Sequence, residues 1–543
     1  MSDYNHSRRR FFARSGLGLL AFSGLPGLLN AMEGMQAVPK MTPRLANPNF
    51  KPDVEIGLFC KPAAVPILVG QKTQVLQYTA ELLQGPKGAV TEIAGSYLGP
   101  VIRLQKGQKV RIHLHNGLSE ATVTHWHGLH VPAEMDGHPL YAIGAGETLV
   151  YEFEVLNRAS MNIYHPHPHE ATAKQVYHGL AGALLVNDDE ETALGLPSGD
   201  YEIPIVIQDR LFDAQNQLVY AQGMHDGMAG FYGDRILVNG RADVVLDVDS
   251  RAYRLRFMNG STARIYKLGW DDGTPVTVIG VDGGLLEKPE TKPYMMLAPG
   301  ERLDVWADFS GRAEGSQLVM RSLAFSGVLP KMGMMMHRSG LPVGSDYPIF
   351  TAKVTRKVSD SPKLPHTLSS IRRYAVADTA NPAKPVPIAI SEAHMSMLLN
   401  GRPYAYNDVQ DFERIPVNTV QLMEIFHTQG GGMGMGGMHH GGMGMGGMRH
   451  GGMGMMMSMA HPIHLHGQPF QIISRSVANG NEDDYATVQE GFIDSGLKDT
   501  VLVMPGESVR LIKPFQDFKG LFMYHCHNLE HEDRGMMREF LVV

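Results

Sequence analysis

Cysteine is nearly absent: the 543 residues hold two, Cys60 and Cys526. One disulfide is the most that this pair can form, and none is left if Cys526 has another task, so cross-links do not hold this fold together. An excess of positive charge is also missing. Lys and Arg number 48 against 55 Asp and Glu, a net charge of −7, and no nucleic-acid partner is expected. Long apolar runs are lacking as well. The one apolar stretch near the N-terminus falls short of the ~20 residues a membrane span needs. Gly24 and Pro26 also break it, so stable membrane insertion is not expected. Helical periodicity is scarce throughout.

What fills the chain instead is β texture. Short runs such as 101–118, 146–155 and 178–188 are rich in branched and aromatic residues and bounded by Gly, Asn and Asp. The texture returns at 242–260 and 301–311, and again at 499–515. Repeated units of this kind predict an all-β protein of sandwich domains in series. Composition places the boundaries at 50–190, 200–356 and 372–543. Residues 38–55 read as a lead-in arm, and 188–202 and 357–373 as linkers. The N-terminus reads as an export signal over 1–37, with Arg8, Arg9 and Arg10 ahead of the apolar stretch. Ser7 to Phe12 resemble a twin-arginine signal, which implies export to the periplasm.

Four motifs carry the chemistry: "HWHG" (125–128), "HPHPH" (165–169), "HPIHLHG" (461–467) and "HCHNLEHEDRGMM" (525–537). Alternate residues of a strand share a face, so each His-X-His offers two imidazoles to one site. The pairs are His125/His127, His165/His167, His464/His466 and His525/His527. Imidazole alone does not choose among copper, zinc and iron. Cys526 does choose. It points to the opposite face from its histidine neighbours, and with His461, His531 and Met536 it completes the ligand set of a blue-copper centre. A single His-X-His in a strand is usually structural or solvated. His113 and His115 are read that way, and His130, His138, His169 and His178 are placed outside the ligand set.

These motifs resemble those of the multicopper oxidases, of the three-domain bacterial type that includes copper-efflux oxidases and laccases. "FYGDRILVNG" (231–240), "RLRFMNGSTAR" (254–264), "VIGVDGGLLEKP" (278–289) and "LNGRPYAYN" (399–407) resemble the efflux-oxidase branch. The resemblance implies three cupredoxin-like Greek-key sandwiches and four coppers. It implies a type 2 ion on His125 and His464, and a type 3 pair on His127, His165, His167, His466, His525 and His527. The type 1 ion falls to His461, Cys526, His531 and Met536. Asp136 and Glu532 match the family's proton-supplying acids, and Cys526 carries electrons to its histidine neighbours.

Methionine is the abundant residue, at 34. A ten-residue Met/Gly/His repeat opens an insert over 430–459, which holds eleven methionines and three histidines within 433–459. Thioether and imidazole suit Cu(I), so the insert is read as gathering that ion, with Met457, Met459, His439 and His440 as candidate ligands. A second group, "KMGMMMH", lies at 331–337. Copper-efflux oxidases carry an acid four positions before the first histidine of "HPxHxHG"; here that position is Met457. The expected activity is Cu(I) oxidation coupled to reduction of dioxygen to water, by a monomer, with phenols as further substrates. A general laccase, a Cu(I)-sequestering protein and a copper-free relative are the alternatives; the last is disfavoured because every expected ligand is present.

Overall fold

The computed structural model describes residues 43–220, 223–329, 341–393, 396–427 and 458–543. The signal expected over 1–37, the group at 331–337, and Met457, His439 and His440 of the insert lie outside the described residues. No helix among the described residues is long and apolar enough to cross a membrane.

The protein is all-β, built of cupredoxin-like sandwiches. Strands from Val54 to Asn187 form a four-stranded and a five-stranded sheet. Strands from Glu202 to Arg356 form sheets of seven and five, and those from Val386 to Val542 two sheets of five. Alternation produces these layers. In Lys109–Asn116 the residues Val110, Ile112, Leu114 and Asn116 are buried, while His113 and His115 face outward. His113 then meets Glu55 at 2.8 Å, a surface contact rather than a ligand position. The inward faces interdigitate into one apolar core per sheet pair.

The segment 188–202 is not a free linker. Asp188 caps the short helix Asp189–Ala193 by accepting the Glu191 N–H at 2.8 Å. Glu191 and Glu202 are both buried against Arg254, and Glu202 also meets Arg256 at 2.9 Å. Polar composition suggested a loop, but these carboxylates are spent on buried arginines. Both cysteines are free and buried, so the chain has no disulfide. Burial pushes the Cys60 thiol well above its usual range, as expected of an inert core residue.

Candidate metal centre

Two strand pairings gather the histidines. Thr124–His127 pairs antiparallel with Ser160–Pro166, setting His125 opposite His165. His461–Leu465 pairs with Gly520–Cys526, setting His464 opposite His525. All four residues of Thr124–His127 are buried, since the strand is covered on both faces. Trp126 points into the first core against Tyr151, while its two histidine neighbours point the other way. The eight imidazoles meet where the first and last sheet pairs adjoin, each 4% exposed or less.

Their hydrogen bonds reveal what they are arranged for. His125 Nδ1 donates to the Asp136 carbonyl at 2.5 Å, and His464 Nδ1 to the Asp499 carbonyl at 2.8 Å. That leaves their Nε2 lone pairs facing each other 3.4 Å apart. His466 Nδ1 donates to Asp136 Oδ2 at 2.6 Å, and His525 Nδ1 lies 3.0 Å from Glu532 Oε2. His466 Nε2 and His167 Nε2 then lie 3.2 and 3.4 Å from His525 Nε2. In a third group, His127 Nε2 donates to Asp499 at 2.9 Å and His165 Nδ1 to the Pro166 carbonyl at 2.9 Å. Their other nitrogens, and both of His527, are buried without a partner.

Such a cluster is costly unless cations occupy it, because each orphaned buried nitrogen loses its water without compensation. Burial also holds His127, His165, His167, His466 and His527 well below the usual imidazole range, and His464 at about 3. These six rings are held neutral, with lone pairs free for a metal. The donor atoms form three-histidine groups: His127, His165 and His527; His167, His466 and His525; and His125 and His464 beside His127. The residues therefore fit several metal ions close together. Outer hydrogen bonds fix the tautomer and direction of His125, His127, His165, His464 and His466, as metal sites require.

A second centre lies on the other face of the same strand. Cys526 Sγ is 3.4 Å from His461 Nδ1 and 3.7 Å from His531 Nδ1, all fully buried. Met536 is fully buried in the same core, and its carbonyl accepts the Cys526 N–H at 3.0 Å. The short helix Leu529–Asp533 carries His531, whose other nitrogen donates to the Met228 carbonyl at 3.1 Å. Burial pushes the Cys526 thiol up, so ionisation there calls for a bound cation. Thiolate, two imidazoles and a nearby thioether are a copper donor set. Cys526 thus belongs to one centre while His525 and His527, bonded to it in the chain, belong to the other.

Asp136 and Glu532 lie at the histidine cluster, 1% and 2% exposed. Burial raises the Asp136 pKa, and its Oδ1 has no hydrogen bond. The histidines set aside in the sequence have other partners: His130 meets Asp517 at 3.1 Å and His138 meets Glu539 at 3.0 Å. Sequence reasoning missed three supports. Asp499 accepts from His127 while held by Arg302, with Nη1 2.7 Å from Oδ1. Glu392 accepts from His461 Nε2 at 2.8 Å and from the Met459 N–H at 2.9 Å. His427 lies 3.9 Å from Glu392. None sits in a histidine motif, and only Asp499 lies in a strand run that the sequence marks, as the first residue of 499–515.

Two family models, both described as multicopper oxidase, match residues 74–191 and 449–543. A multicopper oxidase of Staphylococcus aureus is 30% identical over 82% of this chain and 83% of its own length. A laccase of Bacillus stratosphericus is 29% identical over 83% of this chain and 90% of its own. A solved structure titled a multicopper oxidase from Campylobacter jejuni, a metallo-oxidase, superposes with TM-score 0.70 at 26% identity, covering 92% of this chain and 94% of that one.

Proposed function

The chain belongs to the multicopper oxidase family, and on that premise we propose that it oxidises Cu(I) to Cu(II) with dioxygen in the periplasm, as a defence against copper. The observation that carries the choice of substrate is the insert: eleven methionines and three histidines over 433–459, ending two residues before His461. Soft thioethers gather Cu(I) rather than phenols. The Campylobacter jejuni metallo-oxidase supports the same reading.

The proposal gives the chain four coppers. His461, Cys526, His531 and Met536 would hold the type 1 ion, and His125 and His464 the type 2 ion. His127, His165 and His527 would hold one type 3 ion, and His167, His466 and His525 the other. Bound copper supplies one-electron redox chemistry and the reduction of dioxygen to water. The protein's own residues do the rest. Cys526 joins the two centres through the covalent run His525–Cys526–His527. Asp136 seats a proton at Oδ1, its other oxygen being engaged by His466. Glu532 stands 3.0 Å from His525 Nδ1, placed to hold a second. Arg302 and Asp499 keep the His127 ring turned so that Nδ1 faces its group.

The second reading, a general laccase, is favoured by likeness to the Bacillus stratosphericus laccase. Oxygen uptake by copper-loaded protein separates the two. The proposal expects kcat/KM for Cu(I) to exceed that for a simple phenol at least tenfold. The reverse ranking supports a laccase. Tight Cu(I) binding without oxygen uptake supports a storage protein. Replacing Arg8 and Arg9 with Lys tests the location, because activity should then stay in the cytoplasmic fraction.

A further inference from the structure

Met457 occupies the position where the sequence called for an acid, yet a carboxylate does reach His461. It comes from another strand, Val386–Ala393, as Glu392. His461 Nε2 and the Met459 N–H both donate to one oxygen, Oε1, and the Ser458 hydroxyl also bonds this carboxylate. Oε2 instead faces His427 Nδ1 at 3.9 Å. His427 ends the neighbouring strand Thr419–His427, which pairs in parallel with that of Glu392. Among the described residues Ser458 Oγ meets its Nδ1 at 3.4 Å, and the Val503 backbone is a further hydrogen-bonding partner of the ring. The Glu392 side chain keeps 10% of its surface exposed where that of His461 keeps none. The carboxylate is thus less enclosed than the imidazole it meets.

We propose that Glu392 and His427 form a docking site for a soft monovalent cation, in which Oε2 and Nδ1 bind Cu(I) one hydrogen bond away from His461. Resting on the reading of Cu(I) as substrate, it names the residues that receive it. The spacing suits the task. Ligand bonds of about 2 Å put two donors up to about 4 Å apart across one ion. A carboxylate balances the single positive charge, and a neutral imidazole supplies the softer donor. The 3.4 Å contact from Ser458 is long and is given up. The reaction balances simply: each Cu(I) loses one electron and leaves as Cu(II), and the electron passes from the carboxylate to His461. Four such electrons, with four protons, convert one dioxygen to two waters. Glu392 also explains how the chain dispenses with an acid at position 457.

Silver(I), a redox-inert stand-in, tests the site on the full-length copper-loaded protein. Silver at Glu392 disturbs the hydrogen bond to His461, so titration should shift the paramagnetic resonance signal of the type 1 copper saturably. A response that the variants below lose marks silver at Glu392 rather than silver elsewhere in the protein. Glu392→Gln and His427→Leu should each weaken that response at least tenfold, and raise KM for Cu(I) by a similar factor. The His427 variant is the decisive one, because a carboxylate that merely orients His461 would not need it. Wild-type protein without a silver response, or variants that respond and turn over like wild type, would overturn the site. A normal silver response in a protein that does not oxidise Cu(I) would overturn the substrate reading and leave the site standing.

Discussion

Cys526 is the residue on which both centres depend. Burial makes its thiol resist ionisation, so a bound cation is what makes it a thiolate. Cys526→Ser should therefore remove the blue colour and abolish oxidase activity, while the eight-histidine cluster still takes up copper; absorption and copper analysis check this, and a blue mutant would contradict it. Asp136 acts at the other end. Its carboxyl, raised by burial, keeps Oδ1 free beside the cluster. Asp136→Asn should slow oxygen reduction by about 10²–10⁴-fold, the usual contribution of a positioned acid, and leave reduction of the blue copper by substrate intact. Stopped-flow after anaerobic reduction separates the two half-reactions. The eight paired histidines and Cys526, which the structure gathers into two clusters, were legible because His-X-His and His-Cys-His announce themselves by strand spacing. Glu392 and His427 were not. They lie 69 and 34 positions before His461 and come together only through strand pairing.

Strands aim the ligands, and turns from elsewhere in the chain close on them. Gly300 sits in the turn between Met295–Leu297 and Arg302–Asp308, far from any histidine motif. Its φ is +82°, and a Cβ there would stand 2.8 Å from the His527 ring. Both facts require glycine. Gly300→Ala should cost roughly 1–3 kcal/mol and displace His527, lowering copper occupancy of its group more than that of the blue site. Denaturant melts and metal analysis read the two effects, and equal loss from both centres would argue against a local cause. The alternation that made strands such as Lys109–Asn116 legible says nothing of such turns. The segment 188–202 was read as a linker for the same reason: polar residues look solvated until their arginine partners, some fifty or more positions away, are known.

At the scale of the molecule, the cost of gathering so many neutral histidines falls on the copper-free protein. His461, His464 and His531 are held near 3 and His427 near 4, chiefly by burial, whereas the unfolded chain protonates them near 6.5. The unfolded state therefore binds more protons between those values. Stability of the copper-free protein is greatest above about pH 6.5 and falls as the pH drops toward 3, by up to about 1.4 kcal/mol per pH unit for each such histidine. Denaturation at neutral and mildly acidic pH checks the slope, and a flat profile would count against neutral buried rings. Copper binding to the folded form should raise the melting temperature. The class of fold was legible from strand texture and charge, but the way three sandwiches bring residues 125 and 464 face to face was not. Under the proposed function, single electrons taken from Cu(I) are pooled on one molecule of dioxygen. The direct test is to measure Cu(I) oxidised, oxygen consumed and peroxide formed in one reaction of the copper-loaded protein. Four Cu(I) per dioxygen with no peroxide is the expected result; two Cu(I) per dioxygen with peroxide released, or oxygen uptake independent of Cu(I), would rule it out.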